Sequence, residues 1–249
     1  MRFPELVAHR GYALRYPENT LAACAAAFEA GARNIEVDVQ ISADGTPFLC
    51  HDATLERVCG RPVSLADLTD AEVAELCASE PERLGATFAR EPVASLEAFC
   101  DLLGRSPDAR RAFIEVKPVA VDRHGARATL RAVLERLEPV RERCILISFS
   151  AELLTAARGE RGLELGLILA DWGQLESDDA RRLAPEYTFC DHRKLPPAGS
   201  FERPGTRFAV YEVVDARQAL DLAARGADFV ETFAIVEMIA AFARMGAAR

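Results

Sequence analysis

Apolar runs of strand length alternate with longer amphipathic stretches along most of the chain. The first run covers residues 5–10 and leads into an alanine-rich helix that Asn19 or Thr20 caps and Gly31 ends. Two apolar stretches joined by Asp44-Gly45 follow. Further strands are predicted, with helices between them and after the last, at residues 111–117, 143–149, 163–169, 186–190, 207–213 and 228–231. With the stretch around Asp44-Gly45 counted as one unit, the pattern predicts eight strands that alternate with helices.

This alternation predicts the fold class. Eight strand–helix units within about 250 residues favour an α/β fold, a closed parallel TIM (β/α)₈ barrel. An open doubly wound sheet is the alternative, but no glycine-rich dinucleotide fingerprint follows the first strand. Residues 53–94 interrupt the alternation, because they are polar and mixed, with one helical patch after Thr69. We therefore expect a single domain, residues 1–249, that carries residues 52–94 as a small insertion after the second strand.

The second strand, Ile35-Glu36-Val37-Asp38-Val39, alternates strictly between apolar and acidic residues. This period of two places Glu36 and Asp38 on one face and the apolar side chains on the other. Asp44-Gly45 is a strong signal for a tight hairpin turn. If these two are the turn residues, Asp38 lies directly opposite His51, whereas a longer loop would shift every pair.

Candidate chemistry gathers at the predicted strand ends, which lie on one rim of such a barrel. Seven residues occupy these ends: His9 and Arg10 on the first strand, Glu36, Asp38 and His51 in the hairpin unit, and Glu115 and Lys117 on the third strand. Neighbouring carboxylates repel each other and suit a hard divalent cation, Mg²⁺ or Ca²⁺. Arginine and lysine supply the positive charge that a phosphate needs, and two histidines can act as acid and base. Each motif alone also fits a surface strand or a structural histidine, but their occurrence at three successive strand ends favours a site.

Composition narrows the choice of partners and compartment. Thirty basic against 39 acidic residues give a net charge of −9, which argues against nucleic acid or an anionic membrane as the main partner. No segment approaches the roughly 18 to 20 continuous apolar residues that a membrane span requires, and the N-terminal stretch lacks the apolar region of a secretory signal. The seven cysteines are scattered without a C-x-x-C spacing, which suits reduced thiols. We expect a cytoplasmic globular protein, either a monomer or a homodimer.

Taken in chain order, these motifs resemble those of the glycerophosphodiester phosphodiesterases. The series is His9-Arg10-Gly11, Pro17-Glu18-Asn19-Thr20, Glu36-Val37-Asp38, His51-Asp52, Ala94-Ser95-Leu96-Glu97, Glu115-Val116-Lys117 and Ser148-Phe149. Order and spacing both fit, and the resemblance covers nearly the whole chain. It implies a TIM barrel that cleaves small-molecule diesters such as glycerophosphocholine and glycerophosphoethanolamine to sn-glycerol 3-phosphate and an alcohol.

The resemblance also implies roles for individual residues. One divalent cation, Mg²⁺ or Ca²⁺ with Mn²⁺ as a further option, would be held by Glu36, Asp38 and Glu115. The glycerol hydroxyl would attack first and give a cyclic phosphate. The remaining roles are His9 and His51 as general acid and base, Arg10 and Lys117 on the phosphate, Asn19 near the site, and Phe149 either lining the pocket or capping the barrel core.

Two motifs depart from the family pattern. A Trp-Thr-Val-Asn run is usual on the seventh strand, where this chain has Tyr211-Glu212-Val213-Val214-Asp215. Thr-Asp-x-Pro is usual after the eighth, where it has Glu231-Thr232-Phe233-Ala234. Tyr211 keeps an aromatic side chain at this position, but its ring is smaller than that of tryptophan and it adds a hydroxyl. The predicted preference for glycerol is therefore less firmly based than the predicted phosphodiester cleavage.

Two other functions fit a similar barrel. A phospholipase-D-like lyase that acts on lysophospholipids uses similar ligands, but no apolar loop suited to a lipid is evident here. A non-catalytic metabolite-binding homologue is expected to lack a histidine or a metal ligand, and none is missing from this chain.

Overall fold

The computed structural model describes residues 2–247, within which nine strands and eleven α-helices are assigned. The strands are β1 (Glu5–His9), β2 (Asn34–Ile41), β3 (Pro47–Leu49), β4 (Arg111–Val116), β5 (Cys144–Ser148), β6 (Glu164–Leu169), β7 (Tyr187–Asp191), β8 (Arg207–Tyr211) and β9 (Phe229–Thr232). The helices are α1 (Leu21–Glu29), α2 (Glu56–Cys59), α3 (Asp70–Ala74), α4 (Pro81–Leu84), α5 (Leu96–Gly104), α6 (Pro118–His124), α7 (Ala126–Leu137), α8 (Ala151–Ala157), α9 (Asp178–Leu183), α10 (Ala216–Ala224) and α11 (Ile235–Ala247). Residues 1, 248 and 249 of the expected domain lie outside the described residues.

Eight of the strands close into a parallel barrel. Each pairs with its neighbours in the order β1, β2, β4, β5, β6, β7, β8 and β9, and β9 pairs back onto β1. The ninth strand, β3, lies outside this ring and pairs antiparallel with β2. The prediction of a closed TIM barrel is therefore confirmed, and the hairpin unit is correctly counted once.

Side-chain caps explain where several helices begin. The hydroxyls of Thr20 and Ser95 accept hydrogen bonds from backbone N–H groups of α1 and α5, and the Asp215 carboxylate does the same for α10. Between the predicted strands 163–169 and 186–190, where the sequence predicts a helix, the structure has a 3₁₀ turn, Trp172–Glu176, followed by α9. Helix α6, a two-turn helix with Pro118 at its first position, is not predicted from the sequence.

The barrel interior is filled by apolar side chains below the charged rim. Its largest members are aromatic, and Phe113 makes edge contacts with Tyr187, Phe189 and Phe229 at centroid distances of 5.2 to 5.6 Å. Gly166 on β6 leaves room for this packing, because a Cβ there would lie 2.7 Å from Ile147 Cγ2. The interior is thus solid, and a ligand can enter only above it.

The hairpin register differs by one residue from the predicted one. Val39 pairs with Leu49 and Ile41 with Pro47, so Asp38 lies opposite Cys50 and not opposite His51. The turn is longer than two residues: the N–H of Thr46 bonds the Ser42 hydroxyl, the N–H of Ser42 bonds the carbonyl of Thr46, and Gly45 adopts a φ of +90°. A three-residue loop that ends in a left-handed glycine is the next most common hairpin connection.

The segment between β3 and α5 includes residues 52–94, which the sequence predicts to be a small insertion. It contains α2, α3 and α4 and a separate apolar cluster that includes Leu55, Leu65 and Val73. Several polar contacts attach it to the loop after β1, two of them at 2.7 Å. The Glu80 carboxylate accepts a 2.7 Å hydrogen bond from the Glu18 N–H, and Arg83 donates to the Tyr16 carbonyl at 2.7 Å.

Candidate active site

Three buried carboxylates meet at the upper end of β2 and β4. Asp38 and Glu115 are paired positions on these adjacent strands, and Glu36 precedes Asp38 by two residues on the same face. One oxygen of each lies within 4.8 Å of one oxygen of the others, and the three side chains are almost fully buried. The alternating pattern of the second strand thus places two carboxylates into the barrel mouth, and the parallel register adds the third.

The three carboxyl groups differ in how readily they ionise. Burial, together with Asp38 and Glu231, raises the pKa of Glu36 well above its usual value. Burial and the Asp38 charge also raise the pKa of Glu115. Burial opposes ionisation of Asp38 too, but the neighbouring Arg10 and Lys117 outweigh it and hold the pKa of Asp38 far below its usual range. Without a cation, this cluster carries more carboxyl groups than its two basic residues neutralise.

These residues fit a bound divalent cation. The Oε1 atom of Glu36 is buried without a hydrogen-bond partner in the described residues, which is costly unless a ligand occupies it. Three converging carboxylate oxygens without sulfur or imidazole suit a hard cation such as Mg²⁺ or Ca²⁺. A cation there would also relieve the mutual repulsion that raises the pKa values of Glu36 and Glu115.

Arg10 and Lys117 flank Asp38 from opposite sides. Arg10 Nε lies 3.1 Å from Asp38 Oδ2, and Lys117 Nζ lies 3.2 Å from Asp38 Oδ1 and 2.6 Å from Glu115 Oε1. Arg10 is held from behind by Glu18, whose Oε1 accepts from its Nη1 at 3.0 Å. Both cations line the cavity described below, where a phosphate could contact them.

The loop after β1 is strained where it meets the site. Arg10 and Asn19 both have a φ of +57°, a region that non-glycine residues seldom occupy, and the Asn19 N–H bonds the Arg10 carbonyl at 3.1 Å. Gly11 permits this path, because a Cβ at this position would lie 2.6 Å from the backbone of Ala23. The result is that Asn19 donates to Asp38 Oδ2 at 2.9 Å and accepts from the Asp38 N–H at 3.1 Å.

His9 is a buried histidine beside the carboxylates. Its ring stacks on Phe233 with a centroid distance of 4.5 Å, and its Nε2 lies 3.7 Å from Glu36 Oε2. Burial and the adjacent Arg10 lower the pKa of His9 well below its usual value, so the imidazole is neutral at physiological pH. A neutral imidazole can accept a proton.

His51 is half exposed and enters the site from the loop after β3. Its Nδ1 lies 2.7 Å from Asp52 Oδ1, and the other Asp52 oxygen accepts from Arg57 Nε at 2.7 Å. Gln40 fixes the backbone of this loop by donating from its amide to the carbonyls of Cys50 and Asp52. The two-residue turn considered in the sequence analysis would have paired His51 with Asp38 across the hairpin. That pairing is absent, but His51 still reaches the cavity.

One cavity of about 200 Å³ joins these groups at the barrel mouth. Seven of the ten site residues predicted from the sequence line this cavity, and the other three lie directly behind that lining. Asp38 pairs with Arg10, Glu36 accepts from the Arg10 N–H, and Asn19 bonds Asp38. Phe149 lines the cavity with its ring 5.9 Å from Lys117 Nζ, and Tyr211 forms part of the opposite wall. Three acidic residues that were not predicted as part of the site also line the cavity: Asp191, Glu212 and Glu231. Glu231 had a signal, since it is the only acidic residue within the apolar last strand.

A family model confirms the resemblance in the motif series. The model of the glycerophosphoryl diester phosphodiesterase family matches residues 9–200, more than three quarters of the chain. The chain belongs to this family. Its match contains His9, His51 and the three carboxylates, whereas Tyr211 and Glu231 lie beyond its end.

Other members of the glycerophosphodiester phosphodiesterase family are similar in sequence and in fold. Glycerophosphodiester phosphodiesterase 1 of Bos taurus is 31% identical over 179 residues, which cover 70% of this chain and 52% of the relative. The Homo sapiens protein of that name is 30% identical over 189 residues, 75% of this chain and 54% of the relative. The matches thus span about half the length of these curated relatives. An Oleispira antarctica phosphodiesterase, solved in complex with sn-glycerol 3-phosphate, has the same fold with a TM-score of 0.81, at 22% identity and 97% coverage of each chain.

Within residues 2–247, no helix of this family member is long and apolar enough to cross a membrane.

Proposed function

We propose that this member of the family is a phosphodiesterase that hydrolyses glycerophosphodiesters, such as glycerophosphocholine and glycerophosphoethanolamine, to sn-glycerol 3-phosphate and an alcohol. The observation that carries the proposal is the convergence of three buried carboxylates, two histidines and two cations around one small cavity. The Oleispira antarctica neighbour, with sn-glycerol 3-phosphate bound to the same fold, supports this substrate class.

Glu36, Asp38 and Glu115 would hold one divalent cation, Mg²⁺ or Ca²⁺ with Mn²⁺ as a further option. When bound, such a cation polarises a phosphoryl oxygen and offsets negative charge that develops on it. Arg10 and Lys117 would contact the other phosphate oxygens, and their ion pairs with Asp38 keep both side chains in position. Asn19 would keep Asp38 oriented through its paired hydrogen bonds.

The two histidines suit opposite proton transfers. His9 is neutral, and its Nδ1 has no hydrogen-bond partner among residues 2–247, so it would accept the proton of the attacking hydroxyl of the glycerol moiety. A new phosphorus–oxygen bond forms as the bond to the alcohol breaks, and His51 would donate a proton to the departing alcohol oxygen. In a second step water opens the cyclic phosphate, with the two histidines in exchanged roles. Asp52, 2.7 Å from His51 Nδ1, would hold the His51 ring in place for both steps.

Further proposals concern the compartment, the domain organisation and the pocket wall. The seven cysteines are free thiols, which suits a reducing compartment such as the cytoplasm. We also propose that residues 52–94 are an insertion within a single domain of residues 1–249, since its helices contact the loop after β1 and bring Asp52 and Arg57 to His51. Phe149 and Tyr211 would line the pocket for the substrate.

Alanine variants of the two histidines test the roles. In the presence of Mg²⁺, His9→Ala and His51→Ala should each abolish release of sn-glycerol 3-phosphate from glycerophosphocholine while the protein still folds. The matched control is His124→Ala, since His124 lies at the end of α6 outside the cavity, and it should keep full activity. Wild-type turnover in either site variant would refute the assignment. Cyclic phosphate as the sole product would instead favour the lyase alternative.

A further inference from the structure

Glu231 is a buried carboxyl group whose contacts within the protein do not account for its burial. Its side chain is 2% exposed and lines the cavity at the barrel mouth, and its Oε1 has no hydrogen-bond partner in the described residues. None of the ion pairs found within residues 2–247 includes it. A polar group that is buried without a partner destabilises a protein, so such a group in a cavity indicates a ligand.

Neither metal binding nor core packing accounts for Glu231. It is not part of either group of carboxylates and histidines in residues 2–247 whose atoms lie close enough to share a metal ion. It is not needed to fill the barrel either. Phe229, two residues earlier on the same face of β9, packs in the apolar interior, and Val7 is the position paired with Glu231 on β1. An apolar side chain would therefore pack at this position more favourably than a carboxyl group.

Arg10, Lys117 and Glu231 all line the cavity, but they differ in their partners. Arg10 and Lys117 form ion pairs with Asp38, whereas Glu231, on β9, forms none within the described residues. A phosphate would bind the cations and avoid a carboxyl group, so a neutral part of the substrate should face Glu231. The cavity volume of about 200 Å³ is below the range of about 300–1,000 Å³ typical of drug-sized ligands, and suits one half of a small diester.

We propose that Glu231 is a substrate-binding residue that bonds a hydroxyl group of the glycerol moiety, and that it makes the cavity select phosphate esters of a polyol. A hydroxyl both donates and accepts, so it can bond the Glu231 carboxyl group in either protonation state. The inference rests on the proposed function for the substrate class. It assigns the selection to a residue at which the chain departs from the family's usual Thr-Asp-x-Pro motif.

A pair of ligands that differ only in their hydroxyl groups tests this assignment. Binding of sn-glycerol 3-phosphate and of n-propyl phosphate is measured by calorimetry in the presence of Mg²⁺, for wild type, Glu231→Gln and Glu231→Leu. Wild type should prefer sn-glycerol 3-phosphate by about tenfold or more, the effect of one hydrogen bond to a buried polar group. Glu231→Leu should bind both ligands about equally, and Glu231→Gln should retain part of the preference.

Stability separates a binding role from a structural one. Both substitutions should leave the melting temperature unchanged or raise it, because each removes an unpartnered carboxyl group. If Glu231→Leu does not fold, the ligand preference of Glu231→Gln is the test of the binding role. The matched control, Glu135→Leu on the exposed face of α7, should keep the full preference. The inference would be overturned if both Glu231 variants kept the full preference for sn-glycerol 3-phosphate over n-propyl phosphate. It would also be overturned if wild type showed no such preference or bound neither ligand. If the ligand preference depends on Glu231 but the protein does not cleave glycerophosphocholine, the proposed function is refuted and the binding role of Glu231 stands.

Discussion

Replacing Glu36 with glutamine should stabilise the metal-free protein at neutral pH, although it removes a proposed metal ligand. The Glu36 carboxyl group is buried, its Oε1 lacks a partner, and the nearby acidic groups raise its pKa. Glutamine has nearly the same shape, carries no charge, and keeps an oxygen that can accept from the Arg10 N–H, which lies 3.2 Å from Glu36 Oε2. The substitution therefore removes a cost of folding and leaves the packing in place.

The size of the effect follows from proton linkage. The unfolded chain releases the Glu36 proton above a pH of 4.5, its usual pKa, whereas the folded protein retains the proton to a higher pH. The folded state then binds more protons than the unfolded state, so stability falls as the pH rises, by about 1.4 kcal/mol per pH unit for one such group. Between about pH 5.5 and 7.5 the upper limit is about 3 kcal/mol, or roughly 5–11 °C in melting temperature for a chain of this length.

Asp38 has the opposite sign and acts in another pH range. Its pKa is lowered in the folded protein, so the stability it contributes is present at neutral pH and is lost only as the pH falls below its usual value of 3.8. It therefore does not disturb a measurement made between about pH 5.5 and 7.5.

The assay is denaturant unfolding in EDTA at these two pH values. Wild type should lose stability toward the higher pH, and Glu36→Gln should show a shallower loss and the higher stability there. The exposed control Glu135→Gln should follow wild type. Adding Mg²⁺ should stabilise wild type much more than Glu36→Gln, because only the folded wild type offers the complete carboxylate set. Equal pH slopes, or a Glu36→Gln variant that is less stable at both pH values, would refute this reasoning.

Three further substitutions test other contacts of the site. Asp52→Asn should lower kcat about tenfold or more with little change in KM, because it removes the charged acceptor 2.7 Å from His51 Nδ1. Lys117→Met should lower the free energy of unfolding in EDTA by about 3–5 kcal/mol, since it leaves the buried Glu115 carboxyl group without its basic partner and leaves Asp38 with Arg10 alone, and Mg²⁺ should restore part of the loss. Gly11→Ala should destabilise the protein by about 1–3 kcal/mol, because its φ is +80° and a Cβ would lie 2.6 Å from the backbone of α1.

Each of these has a matched control on the same chain. Asp122→Asn and Lys194→Met change exposed residues and should leave kcat and stability at wild-type values. Gly104 is the last residue of α5, and a Cβ there would lie 3.8 Å from Val140 Cγ1, an ordinary contact distance. Gly104→Ala should therefore not destabilise the protein. Unchanged kcat in Asp52→Asn would contradict the role of Asp52 beside His51. Wild-type stability of Lys117→Met in EDTA would contradict the role of Lys117 beside the carboxyl groups. Equal stabilities of Gly11→Ala and Gly104→Ala would contradict the close approach at Gly11.

The fold could be predicted from the sequence because local periodicity and parallel register act together. The alternation of acidic and apolar residues around Glu36 and Asp38 decides which side chains of β2 point into the barrel. The parallel register of β2 and β4 then places Glu115 beside Asp38, on the same inward face. Helix starts at Thr20 and Asp215 were predictable for the same reason, since a cap depends only on residues within one turn.

What the sequence could not supply depends on tertiary geometry. The hairpin register is set by a three-residue loop, which Asp44-Gly45 alone does not distinguish from a two-residue turn. Gln40 looks like an ordinary polar strand residue, and only the fold shows that its amide holds the backbone on both sides of His51. Glu231 lies on the last strand, and only closure of the barrel onto β1 brings it into the same cavity as Lys117.

The most direct test of the account is release of sn-glycerol 3-phosphate from glycerophosphocholine by EDTA-stripped protein, before and after a divalent cation is added back. The account predicts no release in EDTA and restored release with Mg²⁺, Ca²⁺ or Mn²⁺, and no restoration in the Glu36→Gln variant. Full release in EDTA would contradict the role of the three carboxylates. Absence of release with every cation would contradict the proposed function.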